Sequence, residues 1–369
     1  MKKLIYFLVC LLLCVSIGGG AFLLYKSIAS SEKTPTTQGG NTTVNDGEEG
    51  VTDFDDPPVN TPDGTDNPDD STGAGTELTP PEDEKSYIAE GLTMMGGASV
   101  YMGTDASLDP AIRFTCLIDN ELKAQVEADE NKSLAILVAP LDYFDAVNAE
   151  SSTYVDWVNE FAKAGKTVAL GVFDDYGEYN DYTSFMRFNL SNVLYSNMNR
   201  RFVAMGVLID NSGETPTYTY SAMPTGQTYR TNARSVAYVA GAALNARAMG
   251  LDNFSEAHAA KLREYIDMAI DQANGVSSYV KNGDMPEVMI TNATSVKMGV
   301  NGTHTIQGTL EPENLDVPVK FVSSNEAVAV VSEAGVIYSR VYGSATITMY
   351  VAGEAYTVSV TVSSDVQYM

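Results

Sequence analysis

The chain has 369 residues, which exceeds one typical domain, so its length predicts two folded domains beside any segment that cannot fold. Its formal charge is −26, yet residues 31–85 hold 15 Asp or Glu against only Lys33 and Lys85, and their −13 is half of the total. The remaining sequence is only moderately acidic and has no clustered Lys/Arg face, which argues against nucleic acid and anionic lipid headgroups as partners.

The N-terminal segment is strongly apolar. Residues 4–25 carry no charge over 22 positions, which is roughly 33 Å of helix and long enough to span a bilayer. Lys2 and Lys3 precede this segment and an acid-rich one follows, so the positive-inside bias places the N-terminus in the cytoplasm and the rest outside. We predict an uncleaved signal-anchor transmembrane helix within residues 1–30 of a single-pass cell-membrane protein whose C-terminus is extracellular. The alternative is a cleaved signal peptide, which would leave a secreted protein.

Residues 31–85 have the composition of an acidic stalk. They are rich in Ser, Thr, Gly, Asn, Asp and Pro, hold seven of the 14 prolines, and contain almost no large apolar side chain. Such a segment cannot bury enough apolar surface to offset the entropy cost of ordering it. We therefore predict a disordered stalk, which proline stiffness and like-charge repulsion keep extended.

Residues 86–282 are predicted to form one α+β, or mixed α/β, domain, because apolar strands alternate with amphipathic helices. An apolar run at 133–139, a helix pattern at 154–164 and a second apolar run at 167–173 permit a parallel strand–helix–strand unit. Trp157 falls off the apolar stripe of that helix, a position that would allow partial exposure, but we expect it to have a packing role and not to be an anchor. Further strands are predicted at 98–103, 112–118, 184–190, 202–209 and 216–221, and two helices at 232–249 and from the N-cap Ser255 to Gly275.

Residues suited to catalysis are scarce in this domain. The chain has two histidines, His258 in the first turn of a helix and His304 in the C-terminal region, so no His-based triad or His-rich metal site can be assembled. Cys116 is the only thiol beyond the apolar N-terminal segment, and the alternation around it predicts a small core residue. The sequence shows no nucleotide-binding glycine loop and no nucleophile elbow. We predict no catalytic residue, no metal site and no cofactor.

One cluster remains as a candidate ligand site in the central domain. It comprises Asp174, Asp175, Tyr176, Glu178 and Tyr179. The cluster follows the apolar run at 167–173, and α/β sheets often carry ligand loops after such a strand. Its carboxylates could bind calcium or serve as acid and base, and its tyrosines could stack on sugar rings. The alternative is a solvated turn with its tyrosines packed sideways.

Residues 285–363 show the pattern of a small all-β sandwich, because short strand segments alternate with turn signals. Apolar and polar residues alternate cleanly at 345–349 and 356–362, so one face of each strand is expected to be buried. The predicted strands lie at 287–291, 294–299, 303–310, 317–322, 327–332, 335–340, 344–351 and 354–362.

The same region contains a series of short sequence motifs in a fixed order. They are Asn301-Gly302-Thr303, the runs 309–314 and 319–331, Gly335-Val336-Ile337, and the run 342–348. In this order they closely resemble the bacterial immunoglobulin-like group 2 module, although Phe321 stands where the family usually has Trp. The resemblance implies an immunoglobulin-like sandwich of the kind found in intimin- and invasin-type adhesins and in spacers of secreted glycan-active proteins. It implies no ligand, and at the C-terminus such a module is expected to be a contact surface or to pack on the central domain.

The central domain carries a second, more scattered resemblance. Residues 97–100, 112–115, 201–204 and 233–240 look like blocks of a segment found beside immunoglobulin-like modules in surface proteins of gut Firmicutes. That segment has no activity to carry over. We predict a non-enzymatic cell-surface display or adhesion protein that binds an extracellular polymer or protein ligand. The alternatives are a membrane-tethered glycan-active enzyme with paired carboxylates in the central domain, and a structural envelope protein.

Overall fold

The computed structural model describes residues 87–101, 111–148 and 155–364. The predicted membrane helix at 4–25 and the predicted stalk at 31–85 lie outside these residues. No helix within the described ranges is both long enough and apolar enough to cross a membrane. The described chain is rich in β-structure, and it forms a central domain of one large sheet with helices, followed by a β-sandwich.

The central domain forms nine strands and six α-helices among its described residues. In chain order they are β1 (Ile88–Met94), β2 (Ser99–Val100), β3 (Ile112–Asp119), α1 (Asn120–Ala128), β4 (Lys132–Pro140), α2 (Leu141–Val147), α3 (Trp157–Lys163), β5 (Ala169–Phe173), β6 (Gly177–Asn180), β7 (Thr183–Leu190), β8 (Phe202–Asp210), β9 (Thr217–Ala222), α4 (Tyr229–Asn232), α5 (Val236–Ala248) and α6 (Glu256–Ala273). The strands and the two long helices predicted from the sequence are all present. The sequence did not predict β1, β6, α1, α2 or α4.

The two strands β4 and β5 run antiparallel, so the predicted parallel strand–helix–strand unit is wrong. Leu134 pairs with Phe173 and Val138 pairs with Ala169 across the two strands. The connection between them contains two short helices, α2 and α3, where the sequence pattern predicted only one. A single helix would carry the chain back to the starting end of β4. The connection through α2 and α3 instead returns the chain to the end where β4 finishes, since β5 pairs antiparallel with β4.

The large sheet curls until its two ends approach each other. The strand order is β5-β4-β8-β9-β1-β3-β7-β6 with β2 beside β3, and the described pairs are antiparallel except β1 with β9. Only residues 174–176 separate β5 from β6 in the chain, although these strands stand at opposite ends of that order. Gly171 of β5 lies so close to β7 that a Cβ there would be 2.5 Å from the ring of Phe188. A hydrophobic core fills the space between the approaching ends.

Cys116 lies inside this curled sheet and is a small core residue, as predicted. Its exposed fraction is 0%, and Phe114, Ile136 and Met186 belong to the same core cluster. Burial raises the pKa of the Cys116 thiol far above its usual value, because the thiolate would lose its hydration there. A Cβ on Gly206 of β8 would lie 2.5 Å from the Cys116 sulfur, so glycine makes room for the thiol.

The opposite face of β4 and β8 is covered by α2 and α3, and this packing buries Trp157. Its exposed fraction is only 1%, so the expected packing role is confirmed and the side chain is not partly exposed. The indole ring lies 4.8 Å from the ring of Phe144 and 5.5 Å from that of Tyr229, centroid to centroid. Phe144 belongs to α2, a helix that the sequence pattern did not predict, so the partner that buries this side of α3 could not be foreseen.

The two long helices α5 and α6 complete the core of the central domain. The hydroxyl oxygens of Ser235 and Ser255 accept hydrogen bonds from the third residue of each helix, Tyr238 N and His258 N, which confirms Ser255 as an N-cap. Helix α5 is buried around most of its circumference, since Val236, Ala237, Val239, Ala240, Gly241, Ala243, Leu244, Asn245 and Ala246 are all buried. A helix with so little exposed surface must be covered on two sides.

The C-terminal region is a sandwich of two packed sheets with a short extra ribbon. Its strands are β10 (Glu287–Ile290), β11 (Ser295–Met298), β12 (Thr303–Thr305), β13 (Gly308–Glu311), β14 (Val319–Ser323), β15 (Ala329–Val331), β16 (Val336–Ser339), β17 (Gly343–Val351) and β18 (Glu354–Val362). One sheet has the order β11-β18-β17-β14, the other β12-β16-β15, and β10 pairs with β13. The predicted strands are confirmed, except that the one at 303–310 is divided into β12 and β13. Phe321 is half-buried and packs against the sandwich core.

The sandwich packs against the side of α5 that the central domain leaves uncovered, so the two domains share one hydrophobic core. Leu315 and Ala352 of the sandwich belong to the same cluster of buried residues as α5 and α6. The side chain of Asn245, which is 0% exposed, donates to Pro318 O at 3.0 Å and accepts from Gly353 N at 2.8 Å. One amide of the central domain therefore satisfies two backbone groups of the sandwich.

The linker between the domains is also tied to the central domain, through Asp267 on α6. The carboxylate is 0% exposed and accepts hydrogen bonds from the hydroxyl of Tyr279 and from the backbone N–H groups of Asn282, Gly283 and Asp284, at 2.8–3.0 Å. Four donors on one carboxylate compensate for its loss of water. We call the contacts of Asn245 and Asp267 with the sandwich and linker the junction.

Candidate ligand-binding site

The five residues predicted as a ligand site lie at the end of the sheet where β6 is the outermost strand. Asp174 and Asp175 are exposed in the connection from β5 to β6, and Tyr176, which follows them, is half-buried. Glu178 and Tyr179 are exposed on β6 itself, which pairs with β7 as a hairpin. The segment predicted as a loop thus contains a strand, and it presents its charged side chains to solvent.

Tyr176 is a packing residue of this segment. Its hydroxyl donates to Phe173 O at 3.4 Å, and the Lys123 ammonium lies 5.7 Å from the centre of its ring. Burial raises the pKa of Tyr176 to about 12, and the carboxylates of Glu127, Asp174 and Asp175 add to the effect because they oppose a second negative charge. The phenol therefore stays neutral, and it anchors the connection between the strands.

A cleft of about 560 Å³ opens between α1 and the β6–β7 hairpin. It is lined by Asn120, Lys123, Ala124, Glu127, Glu178, Tyr179, Asn180, Asp181 and Ser184. Of the five predicted site residues, the structure brings Glu178 and Tyr179 together in this cleft. Asp174, Asp175 and Tyr176 do not line it. The cleft is therefore the candidate site. It lies toward the tip of the hairpin, away from Asp174 and Asp175 of the predicted cluster.

Asn120, the first residue of α1, ties the helix to the tip of the hairpin. Its side-chain amide donates to Asp181 O at 3.1 Å, and its side-chain carbonyl accepts from the Ser184 hydroxyl at 2.8 Å. Its backbone N–H donates to Tyr182 O at 3.0 Å. Three contacts from one residue fix the two walls of the cleft relative to each other, so the shape of the cleft does not depend on a ligand.

The chemistry of the lining is polar, with an aromatic element. Lys123 supplies the one ammonium group of the lining, against the carboxylates of Glu127, Glu178 and Asp181. The side chain of Tyr179 is 47% exposed. Among the described residues, no group of three or more His, Cys, Asp or Glu side chains is placed to hold a metal ion. The lining can donate and accept hydrogen bonds and can offer one aromatic face.

Seven of the nine lining residues are absent from the predicted set of five, and four of them are Asn120, Lys123, Ala124 and Glu127. All four belong to α1, which the strand-and-helix pattern did not show because only Leu122 and Val126 of that helix are buried. The spacing of four between these two apolar residues was the available signal. Asp119, which precedes the helix, makes no side-chain cap hydrogen bond.

A second cleft, of about 450 Å³, lies where the central domain meets the sandwich. Its lining includes Arg247, Arg263, Phe254 and Gly353. Both guanidinium groups bind the same carboxylate, since Arg263 lies 2.6 Å from one oxygen of Glu256 and Arg247 lies 2.9 Å from the other. Arg263 and Arg247 together hold the pKa of Glu256 below its usual range. Because Glu256 engages both cations, this cleft offers a ligand less charge than its residues suggest.

No family model matches the sequence, and no curated protein matches it. Partial structural similarity is found to domains 5–6 of the S-layer protein SbsC, with 23% identity, a TM-score of 0.19, and 21% of this chain aligned to 45% of that one. Domains 4 and 5 of the same protein give 14% identity and a TM-score of 0.18, and the alignment covers 43% of this chain and 64% of that one. HBP35 of Porphyromonas gingivalis gives 10% identity and a TM-score of 0.16, and the alignment covers 73% of this chain and 64% of that one. The chain thus spans less than two thirds of each of these structures, and such superpositions do not define a shared fold.

Proposed function

We propose that this chain is a membrane-anchored cell-surface protein that displays a two-domain head on an acidic stalk and binds an extracellular ligand without converting it. The head comprises the central domain and the sandwich. The observation that carries the proposal is the hydrophobic core that the two domains share, because Leu315 and Ala352 of the sandwich complete the core of α5 and α6. A module that served only as a spacer would not need to share a core with its neighbour. A shared core makes the two domains one rigid body, as suits a displayed binding head.

The assignment of the sandwich to the bacterial immunoglobulin-like group 2 family is part of this proposal. It rests on the ordered sequence motifs and on the agreement between the predicted and observed strands. Val358, Val360 and Val362 of β18 alternate into the core, opposite Ile347 and Ala345 of β17, as the two-residue period requires. Modules of this kind are common in surface adhesins, which supports an extracellular location.

Binding is favoured over catalysis by the exposure of the acidic groups in the cleft. A hydrolase that uses paired carboxyl groups buries one of them to keep it protonated. Glu127, Glu178 and Asp181 are all exposed. Exposed carboxylates suit hydrogen bonding to a ligand.

The proposal is tested on whole cells that express the full chain. Carbonate washing should leave the protein in the membrane fraction, and protease added to intact cells should release the head. The released fragment should contain both domains uncut, because Asp267 and Asn245 hold the linker and the sandwich in place. A mature protein found in the medium and beginning near residue 22 or 30 would establish the cleaved signal instead. Rapid cleavage between residues 274 and 286 would show that the two domains are not one body.

A further inference from the structure

We propose that the cleft between α1 and the β6–β7 hairpin binds an uncharged oligosaccharide. The inference rests on the proposed extracellular binding function and gives it a site and a class of ligand. Three properties of the cleft carry it: its fixed shape, the balance of charge along its lining, and the exposed ring of Tyr179.

The fixed shape comes from the contacts of Asn120 with Asp181, Tyr182 and Ser184. A cleft of about 560 Å³ falls within the range of about 300–1,000 Å³ that small-molecule sites occupy. Because the protein itself holds the walls, a ligand need not supply the free energy to order them. The cleft is therefore suited to weakly interacting ligands such as sugars, which gain little from each hydrogen bond.

The net negative charge of the lining disfavours some classes of ligand. Three carboxylates against one ammonium disfavour an anionic ligand such as a uronic acid, a sialylated glycan or a phosphate. A divalent cation needs several oxygen ligands at short distances, and the described residues offer no such group. A neutral ligand that both donates and accepts hydrogen bonds is not repelled by the carboxylates and does not need a cluster of metal ligands. Its hydroxyl groups can donate to Glu178 and Asp181 and accept from Lys123 and from the amide of Asn180.

Tyr179 adds the element that distinguishes a sugar site from a merely solvated polar surface. Tyr179 is 47% exposed on an edge strand, whereas Tyr176, in the connection just before that strand, is half-buried and packs against the core. The face of a pyranose ring that carries C–H groups is apolar, and it stacks on an exposed aromatic ring while the hydroxyl groups at its edge reach polar side chains. Tyr179 and the polar lining are placed to meet these two sides of one ligand.

The hairpin and the connection that precedes it provide matched controls. Tyr182, at the tip of the hairpin, is 82% exposed but does not line the cleft, and Asp174, in the connection from β5 to β6, is an exposed carboxylate that also does not line it. A general loss of surface polarity or aromaticity would affect these controls as much as the site variants. A specific site would not.

The experiment measures binding of cellohexaose, maltohexaose, xylohexaose, mannohexaose and chitohexaose to the full chain in detergent, by calorimetry and by thermal shift. Oligogalacturonate and calcium chloride serve as the charged comparisons. At least one neutral hexasaccharide should bind and raise the melting temperature. Tyr179→Ala should weaken that binding at least tenfold and Glu178→Gln about threefold or more, whereas Tyr179→Phe, Tyr182→Ala and Asp174→Asn should stay within twofold of the parent.

The proposal is overturned if none of the five hexasaccharides binds, if binding survives Tyr179→Ala, or if oligogalacturonate or calcium binds more tightly than every neutral probe. Melting temperatures of the variants without ligand, all within about two degrees of the parent, show that a loss of binding is not a loss of folding. These failures leave the surface-display function intact, since that function is tested by membrane retention and protease release. Hydrolysis of a bound hexasaccharide would keep the site but overturn the non-enzymatic function.

Discussion

The junction and the cleft are built from the same kinds of side chain, an amide and carboxylates carried by helices and strands, yet they serve different ends. At the junction, Asn245 and Asp267 have no exposed surface and their hydrogen bonds go to the protein. In the cleft, Glu178 and Asp181 are exposed. Burial therefore decides what a polar group does, because a buried group must be satisfied internally while an exposed one stays free to meet a ligand. Substitutions should cost stability at the junction and binding at the cleft.

The largest loss of stability is expected from Asn245→Ala. The variant leaves Pro318 O, which is buried, and Gly353 N, which belongs to a half-buried residue, without their partner, and it opens a small cavity on α5. One buried and one half-buried backbone group left unsatisfied, together with the cavity, should lower the free energy of unfolding by about 3 kcal/mol. Urea unfolding of residues 86–369 measures this loss. Asn274→Ala, at an exposed amide after α6, is the matched control and should cost less than about 0.5 kcal/mol.

A smaller loss is expected from Asp267→Ala. The carboxylate satisfies three backbone N–H groups of the linker, but Asn282, Gly283 and Asp284 are exposed, so water can replace part of what is lost. We expect a loss of about 2 kcal/mol. Amide hydrogen exchange should also become faster at 282–284 while the exchange of β17 and β18 is unchanged. Unchanged protection at 282–284 would show that the carboxylate does not hold the linker.

The interior of the curled sheet offers a comparison that tests packing, at a glycine whose backbone N–H donates to the Ser221 hydroxyl. Gly206→Ala would place a Cβ 2.5 Å from the Cys116 sulfur, and overpacking of this kind should cost about 1–2 kcal/mol. Cys116→Ala removes that sulfur, so the double variant should be more stable than the sum of the two single losses predicts. The double-mutant cycle by urea unfolding measures this coupling. Additive losses would mean that Leu92, which a Cβ at Gly206 would also approach to 3.1 Å, causes the strain.

The contrast between buried and exposed regions also explains how far the sequence could predict the fold. In the sandwich, each strand buries one face, so Val358, Val360 and Val362 mark both the strand and its inward side. In the central domain, residues 134–139 are all buried, because β4 is covered on both faces. A strand without alternation reveals its presence but not its direction or partner. The parallel unit was predicted wrongly for that reason, and α2 was not seen because Phe144 is the only buried residue of that helix.

The candidate site could be predicted only in part, for a related reason. Glu178 and Tyr179 were identified because acids and tyrosines are crowded after an apolar strand, which is a property of neighbouring residues in the chain. Lys123 and Asn120 reach the same cleft from a helix about 60 residues earlier, through the pairing of β3 with β7. The pairing of strands that are so distant in sequence cannot be detected in the local sequence pattern. The half of the site that α1 contributes could therefore not be predicted.

The smallest effect is expected at the residues that the sequence nominated and the structure leaves outside the cleft. Asp175 is exposed, precedes the half-buried Tyr176, and does not line the cleft. Its carboxylate lies near enough to raise the pKa of Tyr176, but so do those of Glu127 and Asp174, which remain when Asp175 is removed. Asp175→Ala should therefore change the free energy of unfolding by less than about 0.5 kcal/mol. It should also leave hexasaccharide binding within twofold of the parent, as measured by the same calorimetry. A larger effect on binding than that of Glu178→Gln would move the site back toward the connection between β5 and β6, because the ligand would then contact Asp175 and not the wall formed by α1.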